Sequence, residues 1–384
     1  MKFLLYEWES YLQYDIKWVC REAGITIDTF MWRFADKNED EEFMAWFSKE
    51  IDGKQYDALL SINYWPMLSE AAQKCSLQYL AWCYDNPLNV FEPERTLGNS
   101  VNSVFFFDRI QAAEYQQKGL NTVHYLPLGV NTDRLTKVKI SEDDRRKYTT
   151  DISLVGSLYE SKILELRAIM KEQTKGYIDA VMAVQQNIYG GYLLDELVTS
   201  EIVKDINQYV KEQNPKTGFY LRKEALVFAM ASEITRRERL VLLSLLGKRF
   251  DTRIYSFQNS EMLRGVKCCP AVDYLTEMPK VFACTEINLN PILKCIQSGI
   301  PLRALDVMGM GGFLLSSWQP ELAEQFVDGE EMVLYESLED AVAKADFYLK
   351  NEGLRKKIAV SGRTKVCKEY RLQKQFKKLL DELK

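Results

Sequence analysis

The stretch SGIPLRALDVMGMGGFLLSS, residues 298–317, ends in an apolar run, GFLLSS, that reads as a buried strand. Ahead of it lies a short helical pattern with one acid, Asp306, and one base, Arg303, closed by Gly309, Gly311 and Gly312. Ser298 is a candidate N-cap, and Pro301 suits a first turn, where its missing N–H is no loss. Free N–H groups over residues 299–302, that of Gly299 among them, attract an anion such as a diphosphate, and Arg303 adds a fixed cation. Asp306, about two turns in, is placed to accept from a pair of sugar hydroxyls, as acids do for ribose in dinucleotide sites. The alternative is a tight helix-to-strand turn with Asp306 on a solvated face.

Outward from this stretch, the chain alternates strand-like and helix-like runs. KFLLYEW, YDALLSINY, LQYLAWCYD, SVFFFD and TVHYLPL read as strands. YDIKWVCREAG, MLSEAAQKCS and RIQAAEYQQKG read as the helices between them. Strands alternating with helices predict a parallel, doubly wound sheet. The polar segment LGVNTDRLTKVKISEDDRRKYTTD has no periodicity and reads as a connection. The pattern then restarts with DISLVGS, FDTRIYSF, CTEINLN, GFLLSS and EMVLYES as strands. Residues 159–247 are too long and too helical for one crossover and read as a helical insertion, and EYRLQKQFKKLLDELK reads as one amphipathic terminal helix. The expected fold class is α/β, with two Rossmann-like doubly wound domains facing a cleft. The expected boundaries are 1–130, a linker at 131–150, a second domain at 151–366 with the insertion at 159–247, and a final helix at 367–384 that packs back on the first domain.

Size and composition agree with two domains. The chain has 384 residues, 47% hydrophobic and 27% charged, with a net charge of −5. The acidic balance argues against nucleic acid as a partner. No window reaches the ~18 apolar residues of a membrane span, and MKFLLYEWESYLQ is not a signal peptide, so a cytoplasmic location is expected. Eight cysteines lack any CxxC pair and only one histidine, His124, is present, so zinc ligand sets are not expected and the thiols read as reduced. A single histidine also argues against Ser-His or Cys-His hydrolase chemistry.

The run EINLNPILKCIQSGIPLRALDVMGMGGFLLSSWQPELAEQF, followed by LYESLEDAVAKADFYL, resembles the CgeB-like (spore maturation protein-like) bacterial glycosyltransferases. The resemblance is dense across about residues 270–365 and looser at YEWESY, AWCYDNPL and HYLPLGVNTDRL. It implies a GT-B fold whose C-terminal domain binds a nucleotide-sugar donor, a UDP-sugar first among them, with no tightly bound cofactor and no metal motif. LRALDVMGMGG matches the place of a Glu-Ala-Met-x-x-Gly run whose acid binds the nucleotide ribose, and Asp306 stands here for that Glu. The second acid of such enzymes, seven intervening residues before it, falls on Ser298, so the retaining mechanism tied to that pair is not supported. VGSLYES places Gly156 and Ser157 at a strand end, where backbone and hydroxyl reach a phosphate. CPAVDY resembles the loop that reads the base by main-chain bonds near Val272, with Tyr274 stacking or packing. Asn290 bonds the sugar or caps the next helix, and Glu321 contacts donor hydroxyls or serves as a helix N-terminal acid.

The first domain is expected to bring the acceptor, a glycan or polypeptide hydroxyl, and the catalytic base. Strand ends offer Glu7, Trp8, Tyr64, Trp65, Asp85 and Asp108. Asp85 is the first choice as base and Glu7 the second; the other role open to Asp85 is an Asx turn ahead of Asn86-Pro87. The expected activity is glycosyl transfer from a nucleotide sugar. A non-catalytic nucleotide-sugar-binding subunit, or an epimerase or hydrolase on the same fold, are the competing readings.

Overall fold

The computed structural model describes residues 1–88 and 90–383; Lys384, the last residue of the expected terminal helix, lies outside them. The chain divides into two compact units. The first comprises Met1–Lys137, Ser298–Gly309 and Thr364–Lys384, the second Val138–Gln297 and Met310–Arg363.

The first unit is built on β1 (Lys2–Glu7), β2 (Thr26–Met31), β3 (Ala58–Ile62), β4 (Tyr79–Cys83), β5 (Asn102–Phe106) and β6 (Val123–Tyr125). They form one parallel sheet in the order β2-β1-β3-β4-β5-β6. The central strands, ALLSI and YLAWC, are buried throughout, as parallel strands covered on both faces must be. Their two hydroxyls, Ser61 and Tyr79, bond each other at 2.8 Å, and Ser61 also donates to Asn63 O at 2.6 Å. The edge strand β2, TIDTFM, was not anticipated from sequence, because its polar, half-exposed residues carry no apolar run. The crossover helix Glu41–Ile51 starts where Asp40 accepts from Phe43 N–H at 2.8 Å, and Gly24 (φ +70°) closes Gln13–Glu22.

The second unit carries β7 (Thr150–Val155), β8 (Thr252–Tyr255), β9 (Val266–Cys269), β10 (Thr285–Asn290), β11 (Leu314–Ser317) and β12 (Val333–Tyr335). Its parallel order is β12-β11-β10-β7-β8-β9. The sheet therefore grows outward from β7 on one side and restarts beside it with β10 on the other. Residues 159–247 are helical as expected. They fold into Ile163–Ala168, Glu172–Gln186, Leu194–Leu197, Ser200–Gln213 and Lys223–Gly247, around a core that includes Met182, Leu194, Ile206 and Met230.

One expectation changes. The polar connection near 131–150 holds two short helices, Thr132–Thr136 and Glu142–Tyr148, the latter opened by a Ser141–Asp144 capping box. Both are too short to show a period. The expected terminal helix is found as Leu372–Leu380, and Glu352–Glu369 precedes it. They part at Tyr370 and Arg371, where the chain pairs with Val130: Val130 N–H donates to Tyr370 O at 2.9 Å and Leu372 N–H to Val130 O at 3.0 Å. A Cβ on Gly129 would sit 2.9 Å from Leu372 Cα, so the close approach requires glycine. Among the described residues no helix is long and apolar enough to cross a membrane.

Candidate functional site

In an open α/β sheet, ligands bind beyond the carboxyl ends of the strands where the strand order reverses. In the second unit that point lies between β7 and β10. Gly156 and Ser157 follow β7, and Asn290 and Pro291 end β10. Gly156 has φ +148°, which only glycine adopts readily, and its N–H donates to Tyr255 O at 3.0 Å. Ser157 Oγ hydrogen-bonds Gln258 Oε1 at 2.8 Å and accepts from Tyr159 N–H at 2.8 Å, so its hydroxyl organises the turn. Asn290 neither caps a helix nor stands open; its Nδ2 donates to Ser316 Oγ across the sheet at 2.9 Å.

The residue that spans this crevice is Arg239, on Lys223–Gly247. Its Nη1 donates to Ser157 O and its Nη2 to Pro291 O, so one guanidinium joins the ends of β7 and β10. The Tyr159 ring lies 4.6 Å from its Cζ. Carbonyl oxygens do not cancel the positive charge, and two bonds leave donors of the fork unused. Beside it, Glu238 is 2% exposed and accepts from Tyr189 Oη at 3.2 Å and Tyr335 Oη at 2.9 Å. Lys294 Nζ is 3.2 Å from Glu238 Oε2. Burial, with Glu238 adding to it, pushes both tyrosine hydroxyls well above their ordinary range, so they remain donors. Sequence reading missed Arg239, Glu238 and Lys294. The signal available was the run SEITRRER inside an apolar helix: Ser232, Glu233, Thr235, Glu238 and Arg239 are all buried, which an ordinary solvated face would not be.

Other expected donor residues of this unit stand apart from Arg239 by element. Val272 and Tyr274 lie in the turn between β9 and Met278–Cys284, where Asp273 accepts from Leu275 and Thr276 N–H. Tyr274 is buried and Val272 half-buried. Glu321 is in the first turn of Pro320–Gln325 and buried.

In the first unit, the helix of the opening stretch begins at Leu302 and ends at Met310. Ser298 therefore is not its N-cap. Its Oγ donates to Asp108 Oδ1 at 2.7 Å and its N–H to Asp108 Oδ2 at 3.1 Å. Asp108 also caps Arg109–Gln117 and takes Asn86 Nδ2 at 2.8 Å, so this fully buried acid is a structural clasp, not a strand-end group open to a ligand. A Cβ on Gly299 would lie 2.7 Å from the Phe107 ring. Asp306 is buried at 4% exposure, which excludes the solvated-face alternative; Arg303 is half-buried.

The strand order of the first sheet reverses between β1 and β3, and the expected acceptor-side residues collect there. Trp8 and Trp65 both donate their indole N–H to Ile62 O, at 2.9 and 3.2 Å, and their rings meet edge to face. Trp8 lies nearly parallel to Tyr84, 6.3 Å between centroids. Asn63 (φ +60°) donates Nδ2 to Asp85 Oδ2 at 2.6 Å and accepts from Tyr84 N–H at 2.9 Å. Asp85 thus bonds to Asn63 rather than closing an Asx turn. Desolvation pushes its carboxyl up, against smaller downward pulls from Asn63 and Lys37. The Lys37 amine lies 5.1 Å from the Trp65 ring centroid, and burial draws its pKa down. Glu7 is ion-paired with Lys17. Tyr64 belongs to the core, its Oη bonded to Thr96 at 2.6 Å. Among the described residues no group of three or more His, Cys, Asp or Glu side chains could hold a metal ion.

The family model described as Glycosyl transferase-like matches residues 221–381, which hold Arg239, Lys294, Arg303 and Asp306. No curated protein matches significantly in sequence. Among solved structures, a glycosyltransferase from Rickettsia africae superposes with a TM-score of 0.56 at 10% identity, over 100% of this chain and 97% of that one. Sucrose-phosphate synthase from Thermosynechococcus elongatus gives 0.53 at 13%, over 100% and 99%. HepE from Anabaena in complex with UDP-glucose gives 0.53 at 10%, over 100% and 99%. At such identities the likeness is one of fold: the chain has the two-sheet GT-B architecture.

Proposed function

We propose that the chain transfers a glycosyl group from a nucleotide diphosphate sugar, UDP-sugar first, to an acceptor hydroxyl, in the manner of the CgeB-like enzymes its sequence resembles. The observation that carries this reading is Arg239, a buried cation bonded across the strand-order reversal of the second sheet. That is where a ligand phosphate is expected, and the GT-B fold together with the family match over 221–381 supports a nucleotide sugar as its source.

In this reading the acceptor hydroxyl loses its proton to Asp85 as its oxygen attacks the anomeric carbon. The bond from that carbon to the diphosphate breaks, and the nucleoside diphosphate leaves with the electron pair. Arg239 stabilises the charge that develops on the leaving group, a contribution that electrostatic preorganisation makes large. Arg303 and Asp306 are assigned to diphosphate and ribose on the strength of the family resemblance. Val272, Tyr274 and Glu321 complete the proposed donor contacts, while Asn290 is held by Ser316 and takes no part. Glu7 is the weaker candidate base, because Lys17 already holds its carboxylate. The acceptor is a glycan or polypeptide hydroxyl.

Thermal unfolding with UDP, GDP, dTDP and CMP tests this. A ligand at ~100 times its dissociation constant adds about 2.7 kcal/mol. One nucleoside diphosphate is expected to raise the transition of the wild type and to lose that effect in Arg239→Ala and Asp306→Ala. Nucleotide release that requires an acceptor then separates transfer from hydrolysis and from mere binding. No shift with any nucleotide overturns the reading.

A further inference from the structure

Lys223–Gly247 closes the helical run 159–247, and it reaches both loops that flank the β7–β10 crevice. Toward the loop after β7, Ala229 O accepts from Ser161 Oγ at 2.7 Å, and Arg239 Nη1 donates to Ser157 O. Toward the loop after β10, Arg239 Nη2 donates to Pro291 O and Glu238 stands 3.2 Å from Lys294 Nζ. Thr235 Oγ1 accepts from Lys294 N–H at 3.0 Å. Thr235 and Arg239 are four residues apart and share one helix face, so residues 291–294 lie along that face and are tied to it at both ends. Thr235 is fully buried. Its proton goes to Ala231 O at 2.8 Å, so toward the loop the hydroxyl can only accept. Such a bond to the preceding turn slightly destabilises a helix. Valine would fill nearly the same space without it, so what the hydroxyl adds is the bond to Lys294 N–H.

We propose that Thr235 is a positioning residue of the donor site: by holding Lys294 N–H it fixes the loop after β10, and through Pro291 O it sets the aim of the Arg239 guanidinium. The proposal rests on the transferase reading and gives the helical region a task in it, as the template on which the two loops are set. The loop is anchored on its other side by Ile292 N–H, which donates to Ser317 Oγ at 3.0 Å, so Thr235 supplies the hold on the helix side. A guanidinium is planar, and its donors are fixed relative to one another. A displaced Pro291 O therefore turns the whole fork or loses its bond. Loop conformers with either fault bind a phosphate poorly, and the apparent affinity falls with the fraction of molecules that hold the competent one.

Calorimetric titration with UDP, GDP and dTDP tests this on the wild type, Thr235→Val, Thr235→Ser and Met230→Ala. Thr235→Val deletes the hydroxyl at nearly constant shape, and it is expected to bind the nucleotide that the wild type binds roughly five- to tenfold more weakly. Thr235→Ser keeps the acceptor and is expected to restore the wild-type affinity. Met230→Ala, in the core of the helical region, controls for lost stability alone. It opens a cavity, so it is expected to lower the urea midpoint more than Thr235→Val does and to leave nucleotide affinity unchanged. Hydrogen exchange without nucleotide gives a second readout. Residues 291–297 are expected to exchange about tenfold faster in Thr235→Val than in the wild type, Thr235→Ser or Met230→Ala. Wild-type affinity in Thr235→Val, an equal loss in Met230→Ala, or no recovery in Thr235→Ser overturns the proposal and leaves the transferase reading standing. A wild type that binds none of the three nucleotides removes the transferase reading, and the role of Thr235 with it.

Discussion

Asp85 and Asp108 follow neighbouring strands of one sheet, yet their surroundings assign them opposite parts. Asp108 is fully buried and accepts from Ser298, Asn86 and the first N–H groups of Arg109–Gln117. Asp108→Ala leaves several of these donors without a partner, at about 1–3 kcal/mol each. Urea unfolding is expected to show a loss of at least about 3 kcal/mol. The Asp85 carboxyl is bonded to one amide, which Asn can also engage, so Asp85→Asn is expected to change stability by less than about 1 kcal/mol. In the transferase reading it cuts turnover by roughly 10²–10⁴-fold. Since burial raises the Asp85 carboxyl pKa and a base works deprotonated, the rate is expected to fall on acidification at a pH above the ordinary aspartate range. A pH–rate profile of kcat measures this. Ser298 shows why such parts were hard to read from sequence: its partner is 190 residues away, and local rules offered only a cap.

Elements report the same division between local pattern and distant partner. The strands with continuous apolar runs were legible, and so was the helical run 159–247, because each carries its period within itself. The edge strands β2 and β9 and the short helices near 131–150 were not, since half-exposed or brief elements leave little apolar pattern. The polar face of Lys223–Gly247 was visible only as charges out of place; its meaning came from the carbonyls it meets. One contact between elements is open to titration. Glu277, at the start of Met278–Cys284, accepts from Lys147 Nζ at 2.9 Å and Tyr148 Oη at 2.7 Å on Glu142–Tyr148. These bonds draw its pKa down to about 2. A depressed folded pKa means stability present above the unfolded value and lost as pH falls toward 2. Glu277→Gln is expected to flatten the stability–pH curve between about pH 4.5 and pH 2, as measured by denaturant unfolding at fixed pH steps.

At the scale of the molecule, the first unit is drawn from three separate stretches of chain, and its last piece is Thr364–Lys384. Leu372, Phe376 and Leu379 of that piece are almost fully buried. Ending the chain at Glu369 removes their burial, a loss on the order of 5 kcal/mol at about 1.5–3 kcal/mol per side chain. Six of the seven tryptophans, at 8, 18, 32, 46, 65 and 82, lie in this unit, so intrinsic fluorescence reports its unfolding. A lowered fluorescence midpoint for the truncated chain is the expected result; an unchanged one removes the tail from the first unit's stability.

The pairing of Val130 with Tyr370 and Leu372 also has a consequence for synthesis. Between Lys137 and Thr364 a ribosome must translate the whole stretch from residue 138 to residue 363. At roughly 5–20 residues per second this takes about 10–45 s. Throughout that interval the nascent first sheet has left the exit tunnel without its final helix, and the apolar surface that helix will cover is available to chaperones. A premature stop codon late in the message would therefore injure the part of the protein that was made first.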